Sequence, residues 1–380
     1  MTAAWSHHHV TPLWRLASLA LLVTFLASAC RPAPEASPAA GVHVFLWGSF
    51  NTTDRDLQLA KNGGFTWVKQ LFEWRNIERD AKGRFEWNEP DRIVNAAQAH
   101  GLKILARLDG YPTWSRSQQV YPDDGPPDRL SDWTDYVTAI ATRYKGRIAA
   151  YEIWNEPNID REWGGQPPDA AAYVALLKVS YDAIKRVDPA ALVITAGLSP
   201  TTDTSARARP DATYLREMYA AGLKGSYDLL GVHAAGFRSP PEADPGAVAL
   251  DPEATNHDPS PPEARRVYAF RHVEDLRQIM VEQGDGNKQV AVLEMGWTSD
   301  KRPGSPYLWY STTEEVKGEY LARAFDYARK NWPWASFMTV IYLPDPAWRD
   351  DQEQLYWSIT NRDGTPLPAY IDLKRVLAGN

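Results

Sequence analysis

The sequence predicts an α/β fold, a (β/α)8 TIM barrel with long loops on its C-terminal face. Three observations predict it. From residue 41 onward, short runs rich in Val, Ile and Leu alternate with helix-period patterns eight times in succession. The strand runs are almost continuously apolar, as expected of a parallel sheet covered on both faces. Connections entering strands are short, such as Gly63-Gly64 and Lys145-Gly146-Arg147, whereas those leaving strands are long and rich in Pro, Gly, Asp and Trp. A barrel of about 250 residues enlarged by such insertions suits a chain of 380.

The elements follow in order. Val42–Trp47 reads as the first strand, and a helix from about Asp54 follows it, stopped by Gly63-Gly64. Thr66–Leu71 is the second strand, with a helix through Ile93, Val94 and Ala97 that ends at His100-Gly101. Lys103–Arg107 is the third; its helix starts at Ser131 and carries Trp133, Tyr136, Val137, Ile140 and Tyr144 on one face. Ala149–Trp154 is the fourth, with a helix over Tyr173–Val187 closed by Asp188-Pro189. Leu192–Ala196, Leu229–His233, Val290–Glu294 and Phe337–Tyr342 supply the remaining strands. Their helices lie near Tyr214–Ala221, Val267–Gln283, Glu314–Lys330 and Pro368–Leu377.

Composition narrows the function classes. The chain is 44% hydrophobic and 23% charged, which suits a globular protein and not a disordered one. A net charge of −7 with no dense Lys/Arg run disfavours nucleic acid as a partner. The single cysteine excludes a disulfide framework and a cysteine-ligated metal site. No His-Glu-x-x-His, dinucleotide or P-loop pattern occurs, so neither a metal nor a cofactor is expected. The acidic loop Asp345…Asp350-Asp351-Gln352-Glu353 lacks the regular spacing of a calcium loop and reads as solvated.

In a barrel of this kind the outgoing loops build the active site at the C-terminal mouth. There the fourth strand ends Trp154-Asn155-Glu156-Pro157 and the seventh ends Leu293-Glu294-Met295-Gly296. Two carboxyls brought from different strands into one pocket match the needs of glycoside hydrolysis, one protonated and one ionised. Tyr151-Glu152-Ile153-Trp154-Asn155-Glu156-Pro157-Asn158, with Trp133 and Tyr144 before it, resembles the retaining (β/α)8 glycoside hydrolases. That large clan includes cellulase-like family 5 and β-xylosidase-like family 39. The resemblance extends from about residue 42 to 380. It implies Glu156 as acid/base, Glu294 as nucleophile and Asn155 as the hydrogen-bonding partner of the sugar 2-hydroxyl. It also implies a retaining double displacement on a β-linked carbohydrate, with the carboxyls about 5–5.5 Å apart.

Two departures stand out. Lys69 occupies the place of an arginine that many clan members carry on the second strand. It keeps the charge that holds Glu294 ionised but not the bidentate fork. His233 resembles the clan's sugar-binding histidine, or is a barrel-end histidine bonded into the scaffold, and Ala235 stands where a tyrosine is often found. Tyr342 ends the eighth strand among the expected substrate-binding residues; whether a tyrosine from another loop orients the nucleophile in place of residue 235, and which one, stays open. Arg107 and Asp109 end the third strand, where they line the pocket or only pair with each other. His43 reads as a satisfied core residue.

The chain has 16 Trp, and those in mouth loops suit a pyranose, whose C–H face stacks on an aromatic ring. Trp47, Trp114, Trp297 and Trp348 are taken as substrate-binding, with Trp74, Trp163 and Trp309 as further candidates. Trp87, Trp133, Trp332 and Trp334 read as scaffold.

The amino terminus carries an apolar run, Leu16 to Ala29, suited to a secretory leader over residues 1–29. Ala27-Ser28-Ala29 before Cys30 resembles a bacterial lipoprotein cleavage site, with Ala27 in place of the usual Leu. That implies lipidation of Cys30, a Pro-rich tether over 30–40, and a catalytic domain over 41–380. Membrane contact is expected through the lipid anchor alone; otherwise the protein is secreted. Oligomeric state stays open. Two other functions compete: a catalytically inactive glycan-binding relative, and a two-lobed sugar-binding lipoprotein of a transporter.

Overall fold

Parallel pairing runs from the first strand round to the eighth and back to the first, in a computed structural model that describes residues 1–5, 38–118 and 124–379. The strands are β1 (Ala39–His43), β2 (Trp67–Leu71), β3 (Lys103–Leu108), β4 (Ala150–Ile153), β5 (Leu192–Thr195), β6 (Leu229–Ala235), β7 (Gln289–Gly296) and β8 (Ala335–Val340). The main covering helices are α1 (Thr53–Asn62), α2 (Asn88–Ala99), α3 (Leu130–Arg143), α4 (Ala170–Val187), α5 (Asp211–Ala220), α6 (Val273–Glu282), α7 (Glu314–Asn331) and α8 (Pro368–Leu377). The fold is a (β/α)8 barrel. Its closure excludes the two-lobed, hinged architecture of a transporter's solute-binding protein.

Local sequence explains the element ends. Asp169 caps α4 by accepting from the backbone of Ala171 and Ala172, and Thr313 caps α7 by accepting from Val316. Pro368 opens α8 where a missing N–H costs nothing. β1 lies earlier than its apolar run suggests, beginning at Ala39 inside the segment read as tether. After His43 the same run leaves the ladder and enters the mouth, tied back by Val44 N–H to the Lys69 carbonyl at 2.9 Å. Residues 6–37, which include the apolar run of the leader and Cys30, lie outside the described residues.

Strand alternation sorts side chains into two cores. Ala39, Trp67, Leu105, Ala150, Ile194, Leu229, Ala291, Leu293 and Phe337 pack inside the barrel, with Trp67 stacked on Phe337 at 4.8 Å. Val42, Val68, Ile104, Tyr151, Val193, Val232, Val292 and Met338 face the helices. Inward space is scarce: a Cβ on Gly231 would lie 2.1 Å from the Thr195 carbonyl oxygen. Above the apolar interior, the next inward positions are charged: Lys69 on β2, Arg107 on β3 and Glu152 on β4.

The single helix expected over 267–283 is broken. A short turn at Pro262–Arg265 and two 3₁₀ segments precede α6, because Ala269 is extended (φ −106°, ψ 137°). This turns Phe270 into the core and His272 towards α5. The His272 Nε2 lies 3.1 Å from both Asp211 oxygens, and Nδ1 lies 2.9 Å from Asp275. Both ring nitrogens face carboxylates, so the ring is held as imidazolium. Burial lowers its pKa, but Asp211 and then Asp275 outweigh burial and raise it from 6.5 to about 9. A raised folded-state value stabilises fully below about pH 6.5, and the stabilisation is lost as pH rises through about 9. Urea unfolding across this range is therefore expected to show wild type losing about 2 kcal/mol relative to His272→Gln.

Candidate active site

The cleft begins where β4 ends. Trp154 (φ 72°) and Glu156 (φ 39°) adopt a left-handed backbone on either side of Asn155, a conformation that costs roughly 1–3 kcal/mol per residue and clusters at functional sites. The turn is held by its surroundings. Glu156 N–H donates to the Gly197 carbonyl at 3.0 Å, and the buried Trp154 indole donates to the Glu162 carbonyl at 2.7 Å. The Asn158 amide donates to the Ser199 and Arg209 carbonyls and accepts from Ser199 N–H. Pro157 prevents the ladder from continuing. Glu156 is thereby aimed into the mouth.

Glu294 reaches the same space by a different device. In regular alternation Ala291, Leu293 and Met295 would face inward, and Glu294 would join Val290 and Val292 beneath the helices. Instead β7 carries a bulge. Val232 pairs with Val292 but His233 with Glu294, and on the other side Val292 pairs with Met338 but Met295 with Val340. One extra residue turns Leu293 and Glu294 inward in succession and sends Met295 outward.

Four basic side chains surround Glu294 among the described residues. Lys69 Nζ lies 3.0 Å from Glu294 Oε1 and 2.9 Å from Glu152 Oε2. Arg107 Nη1 stands 3.7 Å from Glu294 Oε1, while its Nε pairs with Asp109 at 2.6 Å. The His233 Nε2 is 4.0 Å from Glu294 Oε1, and His43 completes the set. Burial pushes the Glu294 carboxyl up, but Lys69, then His233, His43 and Arg107, hold it well below the usual carboxylate range. Glu294 is ionised.

His233 links the two glutamates. Its Nδ1 lies 3.0 Å from Glu156 Oε1, so one buried imidazole stands between the carboxyls. A Cβ on Gly197 would fall 2.1 Å from its ring, so only glycine leaves His233 this position. Burial lowers the imidazole's pKa, but Glu294 and Glu156 raise it above its ordinary value. Burial raises Glu156, yet His233 and then Arg161, against Glu294, bring it below its ordinary value.

The two glutamates line a cavity of about 530 Å³ on one side and about 330 Å³ on the other. Both share Arg161, Tyr342 and Glu353 as well. The larger arm is walled by His43, Phe45, Arg107, Asn155 and Trp348, the smaller by Ser199, His233, Phe237, Tyr307 and Trp357. Phe45, Tyr342 and Trp348 make mutual edge contacts at 4.7–5.4 Å. The Asn155 Oδ1, His233 Nε2 and both His43 ring nitrogens are buried with no hydrogen-bond partner among the described residues.

Of the expected site residues, Glu156, Glu294, Asn155, His233, Tyr342 and Trp348 meet in this cleft. Four do not touch it. Lys69 is fully buried beneath Glu294 and acts on the cleft only through that carboxylate. Trp297 is fully buried on the helix side, its indole donating to the Ser239 carbonyl at 3.0 Å. Trp114 donates to the Glu78 carbonyl and packs edge-on against Trp74. Trp47 is half-buried against the core and lines neither arm. Trp74 and Trp163 are also buried in packing. Arg107 both pairs with Asp109 and lines the cleft.

Some cleft residues went unread in sequence. His43 was expected to be satisfied in the core, yet its ring faces the cleft; it shares the inward parity of Ala39 and Gly41 at a strand's mouth end. Glu353 was expected in a solvated loop, but it faces the cleft and accepts from the Trp357 indole at 2.7 Å. Arg161 and Glu162 sit in the long loop after β4, which flagged the region without singling out either residue.

Residues 31–221 match the family model for cellulase (glycosyl hydrolase family 5), a span that includes Glu156 but not Glu294. A family 39 glycoside hydrolase from Bacteroides cellulosilyticus is similar in structure, with TM-score 0.67 and 20% identity over 89% of this chain. A glucosidase from Croceicoccus marinus gives 0.60 and 13% over 85%. The chain spans 63% of the length of each of these two proteins. Xylanase 10B from Thermotoga maritima gives 0.58 and 14%, covering 90% of this chain and 94% of the xylanase. These three likenesses are likenesses of fold.

Breaking the buried triad has a defined cost. Lys69→Met leaves Glu152 and Glu294 without their shared cation and is expected to lower the unfolding free energy by about 3–5 kcal/mol. Lys69→Met/Glu152→Gln should recover much of that loss in urea unfolding without restoring the ionisation of Glu294.

Proposed function

The chain belongs to the cellulase family, glycosyl hydrolase family 5, and on that premise we propose that it is a retaining hydrolase of β-linked oligo- or polysaccharides. Glu294 is its nucleophile and Glu156 its acid/base. The observation that carries this reading is one cleft holding both carboxyls, with a single imidazole between them and Lys69 keeping Glu294 ionised. In the first step a Glu294 oxygen bonds to the anomeric carbon as the glycosidic C–O bond breaks, and Glu156 gives its proton to the departing oxygen. In the second, Glu156 takes a proton from water as that water attacks the same carbon and Glu294 leaves. The sugar's configuration is retained.

The unpartnered polar atoms support a polyhydroxylated ligand. Asn155, His43 and His233 present buried acceptors and donors that need partners, and hydroxyl groups supply both. Trp348 and Phe45 offer an aromatic wall for a sugar's C–H face. Tyr342, which lines both arms with Glu294, fills the place of the phenol absent at Ala235. Lys69 and Ala235 are the two departures that favour an inactive glycan-binding relative. The 3.0 Å ion pair and Tyr342 weaken both motives. Export through the leader, with lipidation at Cys30, belongs to the same proposal.

The test is product release from a panel of aryl β-glycosides and β-linked polysaccharides, with product configuration read by NMR. Wild type is expected to release a β-configured first product from at least one member. Glu294→Gln should lose at least 10³-fold in kcat, with modest change in binding. Glu156→Gln should lose far more on poor leaving groups than on dinitrophenyl glycosides, which need no proton. Glycan binding by a folded protein that turns over no panel member would instead establish the binding relative. For export, Cys30→Ala is expected to abolish incorporation of labelled palmitate in a bacterial host.

A further inference from the structure

We propose that Arg161 is a displaceable counter-ion of Glu156, a positioning residue that caps the carboxylate in the free cleft and yields its place to the glycosidic oxygen when substrate enters. This rests on the hydrolase reading above. The observation behind it is that both Glu156 oxygens already carry a donor: His233 Nδ1 lies 3.0 Å from Oε1, and Arg161 Nη2 lies 3.0 Å from Oε2. A donor on each oxygen favours the carboxylate over the acid that a leaving group needs. One cap must move.

The two caps differ in freedom. His233 stands on β6 with 4% of its side chain exposed, wedged between both glutamates and the Gly197 backbone. Arg161 belongs to a short 3₁₀ segment, Asp160–Glu162, and 63% of its side chain is exposed. Its backbone is held while its side chain is not: Asp160 N–H donates to the Arg207 carbonyl at 2.7 Å, and Arg207 Nε pairs with Asp160 at 3.1 Å. The guanidinium also has a second acceptor, since its Nε lies 3.5 Å from Glu162 Oε1. Swinging about this contact releases Glu156 Oε2 while the guanidinium keeps an acceptor in Glu162, whose carboxyl burial and then the Glu156 charge push up to about 8 and which ionises more readily once Glu156 is protonated. Glu156 lines both arms of the cleft.

The charged groups facing this pair come from several elements. Glu294 on β7 opposes ionisation of Glu156, and His233 on β6 favours it. Glu353 and Tyr307 face Arg161 from loops across the cleft, and Tyr342 after β8 lies within the field of Glu156. Arg161 is the one cation of this set on an exposed side chain. Its departure lets Glu156 take up a proton on Oε2, which passes to the glycosidic oxygen as the anomeric C–O bond breaks. Its return favours the carboxylate that the departing proton leaves behind, the form needed to accept a proton from water in the second step.

The test titrates the Glu156 carboxyl directly, by ¹³C NMR of full-length protein labelled at glutamate Cδ, the Glu156 line being assigned by its absence in Glu156→Gln. In Arg161→Gln the midpoint is expected to rise by about one pH unit, the low end for a removed neighbouring charge because Arg161 is exposed. Arg161→Lys should restore most of the wild-type midpoint. An unmoved midpoint in Arg161→Gln overturns the proposal whatever the protein's turnover. Displacement is read separately, on a glycoside whose first step limits the rate. There the alkaline limb of kcat/KM, which reports the free enzyme, should move upward in Arg161→Gln, while that of kcat, which reports the complex, stays. Movement of both limbs together would mean that Arg161 stays on Glu156 in the complex, and displacement falls. Absence of any glycoside turnover by wild type overturns the hydrolase reading and displacement together, while the NMR midpoint still decides whether Arg161 is the counter-ion.

Discussion

A single ammonium group, Lys69 Nζ, stands at the centre of the barrel with no exposure to solvent, shared by Glu152 at 2.9 Å and Glu294 at 3.0 Å. Burial pushes the Glu152 carboxyl up against the pull of Lys69, and Glu294 stays charged in so dry a place only with that cation beside it, because burying an unpaired charge costs several kcal/mol. The three groups come from β2, β4 and β7, so the ion triad also clasps strands far apart in the ring. Arg107, paired with Asp109 and 3.7 Å from Glu294, extends the same layer. The barrel thus has a greasy floor, a charged storey above it, and the cleft on top. The storey keeps Glu294 ionised where burial alone would neutralise it.

That arrangement divides labour between rigid and adjustable parts. The basic groups around Glu294 all stand on strands, and all but Arg107 are buried. Glu156 has one partner of that kind, His233, and one on a loop, Arg161. A nucleophile has to be charged throughout, whereas an acid/base has to change state within each cycle. The difference in their surroundings follows that difference in duty.

How far the sequence disclosed this can be traced residue by residue. The eight strands were legible because each is an apolar run long enough to cross a covered parallel sheet. Glu156 and Glu294 were legible because each ends such a run. What alternation could not supply was direction. Glu294 and Trp297 differ in parity, so a regular strand cannot send both into the mouth; the bulge brings the glutamate in and leaves the tryptophan among the helices, packed on Phe270 and Tyr320. Trp47, Trp114 and Trp297 were placed by proximity to strand ends, and proximity carries no orientation. Arg161 carries no pattern at all, since an exposed arginine in a loop repeats with nothing. The break before α6 was hidden because Val267–Gln283 keeps a helical rhythm while Ala269 alone departs from it.

The bulge in β7 also governs how this protein can vary over generations. The loops that leave the strands can lengthen or shorten, since nothing in the wall depends on their number of residues. Between Ala291 and Met295 the opposite holds. Substitution there changes one side chain, but losing a single residue reverses the facing of everything that follows within the strand. A carboxylate would be driven under the helices and a bulky thioether into the charged storey. Insertions and deletions are therefore barred from a stretch that otherwise reads as ordinary apolar strand, and homologues should keep its length even where they have changed its letters.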